Sequence, residues 1–246
     1  MYEPRTYRHW IKGGDLISFN VVVKETDLYI RASTNLKRKA FKLVVKYRDI
    51  LESYIRRYPV FLTSLQPLPI DDNAPHIVKA MLEAATRARV GPMASVAGAI
   101  AEFVGTELLA FSPEVIIENG GDIYMKSLGK RLVGIYAGQS PLTGKIGLEI
   151  AATDTPIGIC TSSGTVGHSL SFGKADAVVV LSKSATLADA AATAIGNLIK
   201  QPADIPGGIE LAKSIEGVLG VIIIKGDKTG LWGKVKICPT STQRTT

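Results

Sequence analysis

The sequence predicts an α+β fold in layers, with a mostly antiparallel sheet and helices packed on it. Runs rich in β-branched residues are joined by tight turns, as at residues 15–23 and 27–32, and this pattern indicates hairpins. Predicted strands and helices do not alternate regularly, which argues against a doubly wound parallel sheet. The chain has 246 residues, 46% of them hydrophobic, so it is long enough to bury a sizeable core.

The length fits a single domain over residues 1–246 or two intimately packed halves at about 1–112 and 113–239. The polar segment 240–246 is predicted to be a disordered tail.

The clearest predicted helix follows the first hairpin, because its apolar residues recur with a period of 3.6. These residues are Leu36, Ala40, Leu43, Val44, Tyr47, Ile50, Leu51 and Tyr54. A proline-containing connector at 58–72 separates this helix from a second one at 75–89, which begins with a proline. The small residues of 91–98 break that helix and start a third, which runs to about Leu109.

The second half is predicted to be mostly strands. Strands at 115–118 and 123–126 flank a glycine bend at Gly120-Gly121, where the backbone can take positive φ. Further strands are expected at 131–136, 145–151 and 175–181, followed by an alanine-rich helix from about Thr186. A loop at 202–208, a helix at 209–216 and a hairpin of 219–224 with 231–237 complete the prediction.

The net charge of +7 is concentrated in the first quarter of the chain. Residues 1–60 hold 13 Lys/Arg against 6 Asp/Glu, whereas the remainder is balanced at 16 against 16. A basic region can attract nucleic acid. This one shows no nucleic-acid motif and no interleaved surface aromatic residues, so a solvated helix face is the favoured interpretation and a nucleic-acid partner is disfavoured.

Other classes of protein are excluded by composition. No apolar run reaches the roughly 18 residues that a membrane span requires, and the first residues lack the apolar stretch of a signal peptide. We therefore expect a cytoplasmic protein with no membrane partner. Cys160 and Cys238 form neither a disulfide framework nor a zinc motif and are interpreted as buried thiols.

Asp189 and Thr193 are the candidate metal ligands. Residues four apart lie on one face of a helix, so the carboxylate and the hydroxyl point the same way. Hard oxygen ligands suit Mg²⁺, which takes one or two protein carboxylates and completes its shell with water and phosphate. The alternative is an ordinary helix start, with Ser184 or Thr186 as the cap and an acid in the first turn.

Three further stretches carry candidate site residues. Met93, Ala94 and Ser95 stand at a helix start, where backbone N–H groups favour anions, although close packing explains small residues there equally well. Asp122 follows the glycine bend, and a buried acid at a strand end needs a partner. Hydroxyls at 161–164 suit a phosphate or form a plain turn, and His168 is either a structural residue or an acid–base group.

In order, the motifs GGD-I at 120–123, TSSG at 161–164 with a nearby histidine, and A-D-x-x-x-T at 188–193 resemble the ApbE superfamily, over about residues 91–198. Its founding members are FAD:protein FMN transferases, and the short chain is most similar to the small ApbE-like (UPF) branch. The resemblance implies the layered α+β fold, FAD or FMN as ligand, and Mg²⁺ at Asp189 and Thr193.

The resemblance also assigns roles to the remaining candidates. It implies a flavin pocket lined by Met93, Ala94, Ser95, Gly120, Gly121, Thr161, Ser162, Ser163 and Gly164. Asp122 and His168 become the acid–base or orienting groups. The family's D-P-x-x-G signature does not follow His168, and its Lys-Gly pair is replaced by Ala97-Gly98.

Two functions fit the sequence. One is a flavin- or nucleotide-binding protein that uses Mg²⁺ to act on a pyrophosphate bond such as that of FAD. The alternative is a ligand-binding module that keeps the pocket without turnover. Ala/Gly-rich helices and sheet edges are compatible with a homodimer.

Overall fold

The chain folds into three layers, with a large sheet between a layer of helices and a small sheet. The computed structural model describes residues 16–165 and 172–240. The large sheet has eight strands in the order β1-β2-β3-β4-β7-β8-β9-β10, and every neighbouring pair is antiparallel. Its strands are β1 Ile17–Val23, β2 Thr26–Ala32, β3 Val115–Asn119, β4 Asp122–Lys126, β7 Ile157–Ser162, β8 Ala177–Ser182, β9 Val218–Lys225 and β10 Lys228–Gly233.

The small sheet has three antiparallel strands in the order β11-β6-β5. These are β5 Arg131–Gly134, β6 Ile146–Ile150 and β11 Ile237–Pro239. The small sheet covers the face of the large sheet that points away from the helices, and Val133, Leu148 and Ile150 fill the space between the two sheets.

The helices lie together on the other face. They are α1 Lys37–Arg57, α2 Val60–Thr63, α3 His76–Ala88, α4 Val96–Leu108, α5 Ala185–Leu198 and α6 Ile205–Ser214. A 3₁₀ turn at Pro92–Ser95 precedes α4. Helix α1 buries the stripe Ala40, Val44, Tyr47 and Leu51, as its 3.6-residue period predicts. Within the described residues, no helix is both long and apolar enough to cross a bilayer.

The continuous apolar runs of the central strands follow from this layering. Successive side chains of a strand point to opposite faces, so Val178 and Val180 of β8 pack under the helices while Val179 and Leu181 pack against the small sheet. All six residues of β8 are buried. A strand covered on both faces therefore does not show the polar alternation of a half-exposed strand.

The predicted α+β class with a mostly antiparallel sheet is confirmed. Two boundary predictions are wrong. Helix α6 begins at Ile205 inside the predicted loop, because Gly208 allows it to approach Ile223 of β9. The last predicted strand, 231–237, is divided between β10 of the large sheet and β11 of the small one. The tail 241–246 lies outside the described residues.

The glycine bend joins β3 to β4 as predicted. Gly120 and Gly121 take φ values of +67° and +106°, and Asn119 pairs with Asp122 across the two-residue turn. The Gly121 N–H donates to Glu118 Oε1 at 2.9 Å. This tight turn places Asp122 at the start of β4.

Helix α5 lies in direct backbone contact with its neighbours. A Cβ atom on Gly158 of β7 would lie 2.3 Å from Ala185 Cα, and one on Gly98 of α4 would lie 2.3 Å from the Ala185 carbonyl oxygen. Both glycines are therefore required by the close approach of the start of α5. This contact fixes the distance between α5 and the sheet.

We expect Gly158→Ala to destabilise the protein by about 2 kcal/mol or more, because backbone of α5 has to move to admit the methyl group. Gly129→Ala is the matched control, since no atom lies within 4 Å of the added Cβ there, and we expect a change within about 0.5 kcal/mol. Denaturant unfolding of both variants measures the difference. Equal stability of the two variants would show that the contact is loose.

Candidate functional site

Asp122 is buried on the helix-facing side of the large sheet. It shares that side with Tyr124, two residues along β4, and only 6% of its surface is exposed. Its Oδ1 accepts a hydrogen bond from the Thr161 N–H at 3.2 Å. The thiol of Cys160 also hydrogen-bonds to the Asp122 carboxylate. Two residues of the neighbouring strand β7 thus fix the position of the Asp122 carboxylate by hydrogen bonds.

Asp189 approaches the same region from helix α5. Its Oδ2 accepts the Gly98 N–H at 2.9 Å, and the Ala97 N–H is a second donor. These are N–H groups of the first turn of α4, which have no partner within the helix. Burial raises the pKa of Asp189 to about 7, against the lowering effect of these two donors.

The two carboxylates are electrostatically coupled. Burial raises the pKa of Asp122 well above its usual range, and the charges of Asp189 and Glu118 raise it further. Within residues 16–165 and 172–240, no Lys or Arg forms an ion pair or hydrogen bond with either Asp122 or Asp189. The site therefore places two acid groups where the low dielectric makes it unfavourable to ionise both of them.

Thr193 lies one turn beyond Asp189 on α5 and is partly buried. A further turn along, Gly196 faces Ser162 of β7, since a Cβ added at Gly196 would lie 3.1 Å from the Ser162 hydroxyl. Thr193 thus lies between Asp189, which contacts α4, and Gly196, which contacts β7. The two predicted metal ligands share a helix face, and their role as ligands stays a prediction.

The predicted pocket stretch 93–95 is a 3₁₀ turn beside α5. Met93 and Ala94 are partly buried and pack against the helix-side core. Ser95 is fully buried, and its hydroxyl donates to the Pro92 carbonyl at 2.8 Å. Met93 and Ala94 are consequently the residues of this stretch with surface left for a ligand.

The TSSG stretch ends β7 next to the glycine bend. A Cβ at Gly121 would be 3.9 Å from Thr161 Cβ, so the bend and the end of β7 adjoin. Ser163 is partly buried and Gly164 is exposed, with the Gly164 N–H donating to the Ala175 carbonyl at 2.9 Å. His168, the predicted acid–base or orienting group, lies outside the described residues.

Sequence reasoning missed three supporting residues. The sequence predicts that Cys160 is an ordinary buried thiol. In the structure its sulfur contacts the Asp122 carboxylate and lies 3.3 Å from the Ala185 carbonyl oxygen. Asn119 donates to the Ala97 carbonyl at 3.0 Å and ties β3 to the start of α4. The apolar surroundings of Cys160 in the sequence gave no signal of this contact.

The third supporting residue is Glu102 of α4. Its Oε2 accepts hydrogen bonds from the Ser184 hydroxyl at 2.9 Å, the Thr186 N–H at 2.9 Å and the Thr186 hydroxyl at 2.8 Å. Ser184 in turn accepts the Leu187 N–H as the N-cap of α5. The predicted capping function of Ser184 is confirmed, and it coexists with the candidate metal site further along the helix.

The donor set can be tested against Mg²⁺. Among the described residues, no three His, Cys, Asp or Glu side chains are close enough to hold a metal ion by themselves. Mg²⁺ needs fewer protein carboxylates than that, because water and phosphate supply its other ligands. One buried and one partly buried carboxylate with no basic partner among the described residues fit a divalent cation.

Comparisons with known proteins identify relatives over most of the chain. The UPF0280 protein of Methanocaldococcus jannaschii is 42% identical over 221 residues, which cover 87% of this chain and 90% of that protein. The UPF0280 protein of Methanopyrus kandleri is 42% identical over 226 residues, with 89% and 91% covered.

Two solved structures share the fold at low sequence identity. The apo flavinyl transferase ApbE of Pseudomonas stutzeri superimposes with a TM-score of 0.58 at 12% identity, covering 89% of this chain and 94% of that one. A mutant of the flavin transferase ApbE of Vibrio cholerae gives 0.53 at 14% identity, covering 93% and 98%. A family model described as AbpE bacteria matches residues 8–209. The resemblance predicted from the three motifs is therefore confirmed, and the chain belongs to the AbpE bacteria family.

Proposed function

We propose that this protein binds a flavin nucleotide beside the start of α4 and, with Mg²⁺, acts on its pyrophosphate bond. The observation that carries the proposal is the pairing of buried Asp122 with partly buried Asp189, neither of which has a basic partner in the described chain. Structural neighbours named as flavin transferases support the choice of a flavin.

Each site residue has a definite task under this proposal. Asp189 and Thr193 hold the cation, and the Gly98 N–H fixes the orientation of the Asp189 carboxylate. A bound Mg²⁺ would stabilise negative charge on the phosphate oxygens. Asp122, held by Thr161 and Cys160, orients the phosphate-bearing group or holds a proton near it.

The ligand contacts are assigned to surfaces that remain open. Met93 and Ala94 form one wall and the end of β7 at 161–164 forms the other, with Gly120 and Gly121 leaving space at the bend. His168 is proposed as a second acid–base or orienting group. The cytoplasmic location, the homodimer and the division into halves at about residue 112 stay predictions.

Flavin binding is tested by titrating the protein with FAD, FMN and ADP, with and without Mg²⁺, and following flavin fluorescence. We expect FAD to bind at least about tenfold more tightly with Mg²⁺, because the cation would offset the negative charge of the phosphates beside the Asp189 carboxylate. Asp189→Asn should abolish that gain, since the amide keeps an acceptor for the Gly98 N–H but loses the charge. Asp227→Asn, on an exposed turn, is the control.

Product analysis of the same mixtures separates the two candidate functions. Release of FMN from FAD in the presence of Mg²⁺ supports turnover. Tight binding without any product supports the ligand-binding module. If no flavin or nucleotide binds under any of these conditions, the likeness to flavin transferases is one of fold only.

The stability of the metal-free protein is expected to fall as the pH rises from about 4 to 7. In that range folded Asp189, with its pKa of about 7, keeps a proton that the unfolded chain, with an Asp pKa of about 3.9, has lost. The folded state therefore binds more protons, and raising the pH weakens it by about 3 kcal/mol.

Thermal unfolding across this pH range measures the effect, and Asp189→Asn is the reference because it cannot titrate. We expect the wild-type curve to decline relative to the variant, and Mg²⁺ to restore wild-type stability above pH 7. Parallel curves for the two proteins would mean that Asp189 is ionised in an ordinary way and would remove the electrostatic argument for a cation.

A further inference from the structure

The outer surface of the first half of α1 carries an unneutralised cluster of cations. Lys37, Arg38, Lys39 and Lys42 fall within the first six residues of the helix, and all four are exposed. The first turn holds no acidic residue. Cations at a helix N-terminus oppose the partial positive charge that the helix carries there, so the stability of α1 does not account for them.

In the middle of the helix, by contrast, the cations form ion pairs. Lys46 pairs with Glu107 at 2.6 Å, and Arg48 pairs with Glu25 at 2.6 Å and Glu52 at 3.1 Å. Within the ranges the structure describes, Lys37, Arg38 and Lys42 form no such ion pair. Unpaired positive charge is therefore concentrated in the first two turns, with a second exposed pair, Arg56 and Arg57, in the last turn.

Two exposed aromatic rings border this cluster. Phe41 is 50% exposed and Phe111, which follows α4, is 51% exposed. The Lys39 ammonium lies 3.8 Å from the centre of the Phe111 ring. Aromatic side chains usually bury their large apolar surface. The sequence shows no nucleic-acid motif, but the fold adds an exposed ring from outside the basic region, Phe111, to Phe41 within it.

The arrangement of these residues distinguishes between partners. A helix turns about 100° per residue, so Arg38 and Lys42 point directly away from the buried stripe of Ala40 and Val44, while Phe41 points to one side. Arg38 and Lys42 thus occupy the centre of the surface, and the two rings lie at its flanks together with Lys37 and Lys39. A membrane surface favours the opposite order, with apolar side chains at the centre and cations around them.

We propose that this surface, formed by residues 37–42 with Phe111, binds single-stranded nucleic acid. The phosphates of the strand lie along Lys37, Arg38 and Lys42, and unpaired bases stack on the rings of Phe41 and Phe111. Charge complementarity favours a polyanion, and the flanking rings favour one that carries exposed aromatic bases.

The surface is separate from the candidate flavin site. Lys39 contacts Phe111 beyond the C-terminal end of α4, whereas Asp189 contacts Gly98 at the N-terminal end. The 13 residues of α4 span about 20 Å. The nucleic acid would therefore leave the flavin site open, and the proposal does not depend on the function proposed for that site.

The test is fluorescence anisotropy with labelled oligouridylate and oligothymidylate of about 12 nucleotides. We expect both to bind at low salt, and the affinity to fall about 20- to 50-fold between about 50 and 200 mM salt, as three or four phosphate contacts require. Arg38→Glu combined with Lys42→Glu should abolish binding. Phe41→Ala combined with Phe111→Ala should weaken it at least about fivefold.

Lys145→Glu combined with Lys234→Glu is the control, because it changes the net charge equally at exposed positions far along the chain. We expect this variant to bind normally, and circular dichroism confirms that all variants fold. If both charge-reversed proteins lost the same affinity for the oligonucleotides, the loss would be due to net charge alone, and the proposal would be overturned. Binding to vesicles containing phosphatidylserine without binding to either oligonucleotide would overturn it in favour of a lipid surface.

Discussion

The candidate site depends on how closely helix α5 approaches the backbone of its neighbours. Gly158 and Gly98 leave no room for a side chain against Ala185, so strand β7, helix α4 and helix α5 meet at one point. The Glu102 carboxylate then holds the first turn of α5 through Ser184 and Thr186. Since Asp189 lies one turn further, its carboxylate reaches the Gly98 N–H without freedom to move elsewhere.

This constraint brings charge together at an energetic cost. Asp122 is fixed by the sheet and Asp189 by the helices, and neither can turn towards water without losing a hydrogen bond to backbone. Burying two carboxylates without a cation normally destabilises a fold. Elsewhere in the molecule a buried acid has a partner: Glu114 pairs with Arg131 at 2.8 Å and has a lowered pKa. The contrast between the two sites supports a ligand at the first.

The sequence predicts the elements well and their contacts poorly. The period of α1, the Gly120-Gly121 bend and the apolar runs of β3 and β8 are local signals, and the structure contains each of them. The contacts of Cys160 with Asp122 and of Glu102 with Thr186 join residues 38 to 84 positions apart. No local sequence pattern predicts such contacts, because they depend on the order of the strands in the sheet and on how the helices pack against it. The resemblance to known motifs, in contrast, does point to both Asp122 and Asp189.

In two places of the described chain, the position of charged residues conflicts with local preference. At Asp122 and Asp189, acids are buried where burial raises the pKa of each. In the first turn of α1, cations stand where the helix repels them. Folding alone benefits from neither arrangement. Such conflicts between local preference and fold are expected where a protein binds something, and the ligands we propose are of opposite sign, a cation at the first site and a polyanion at the second.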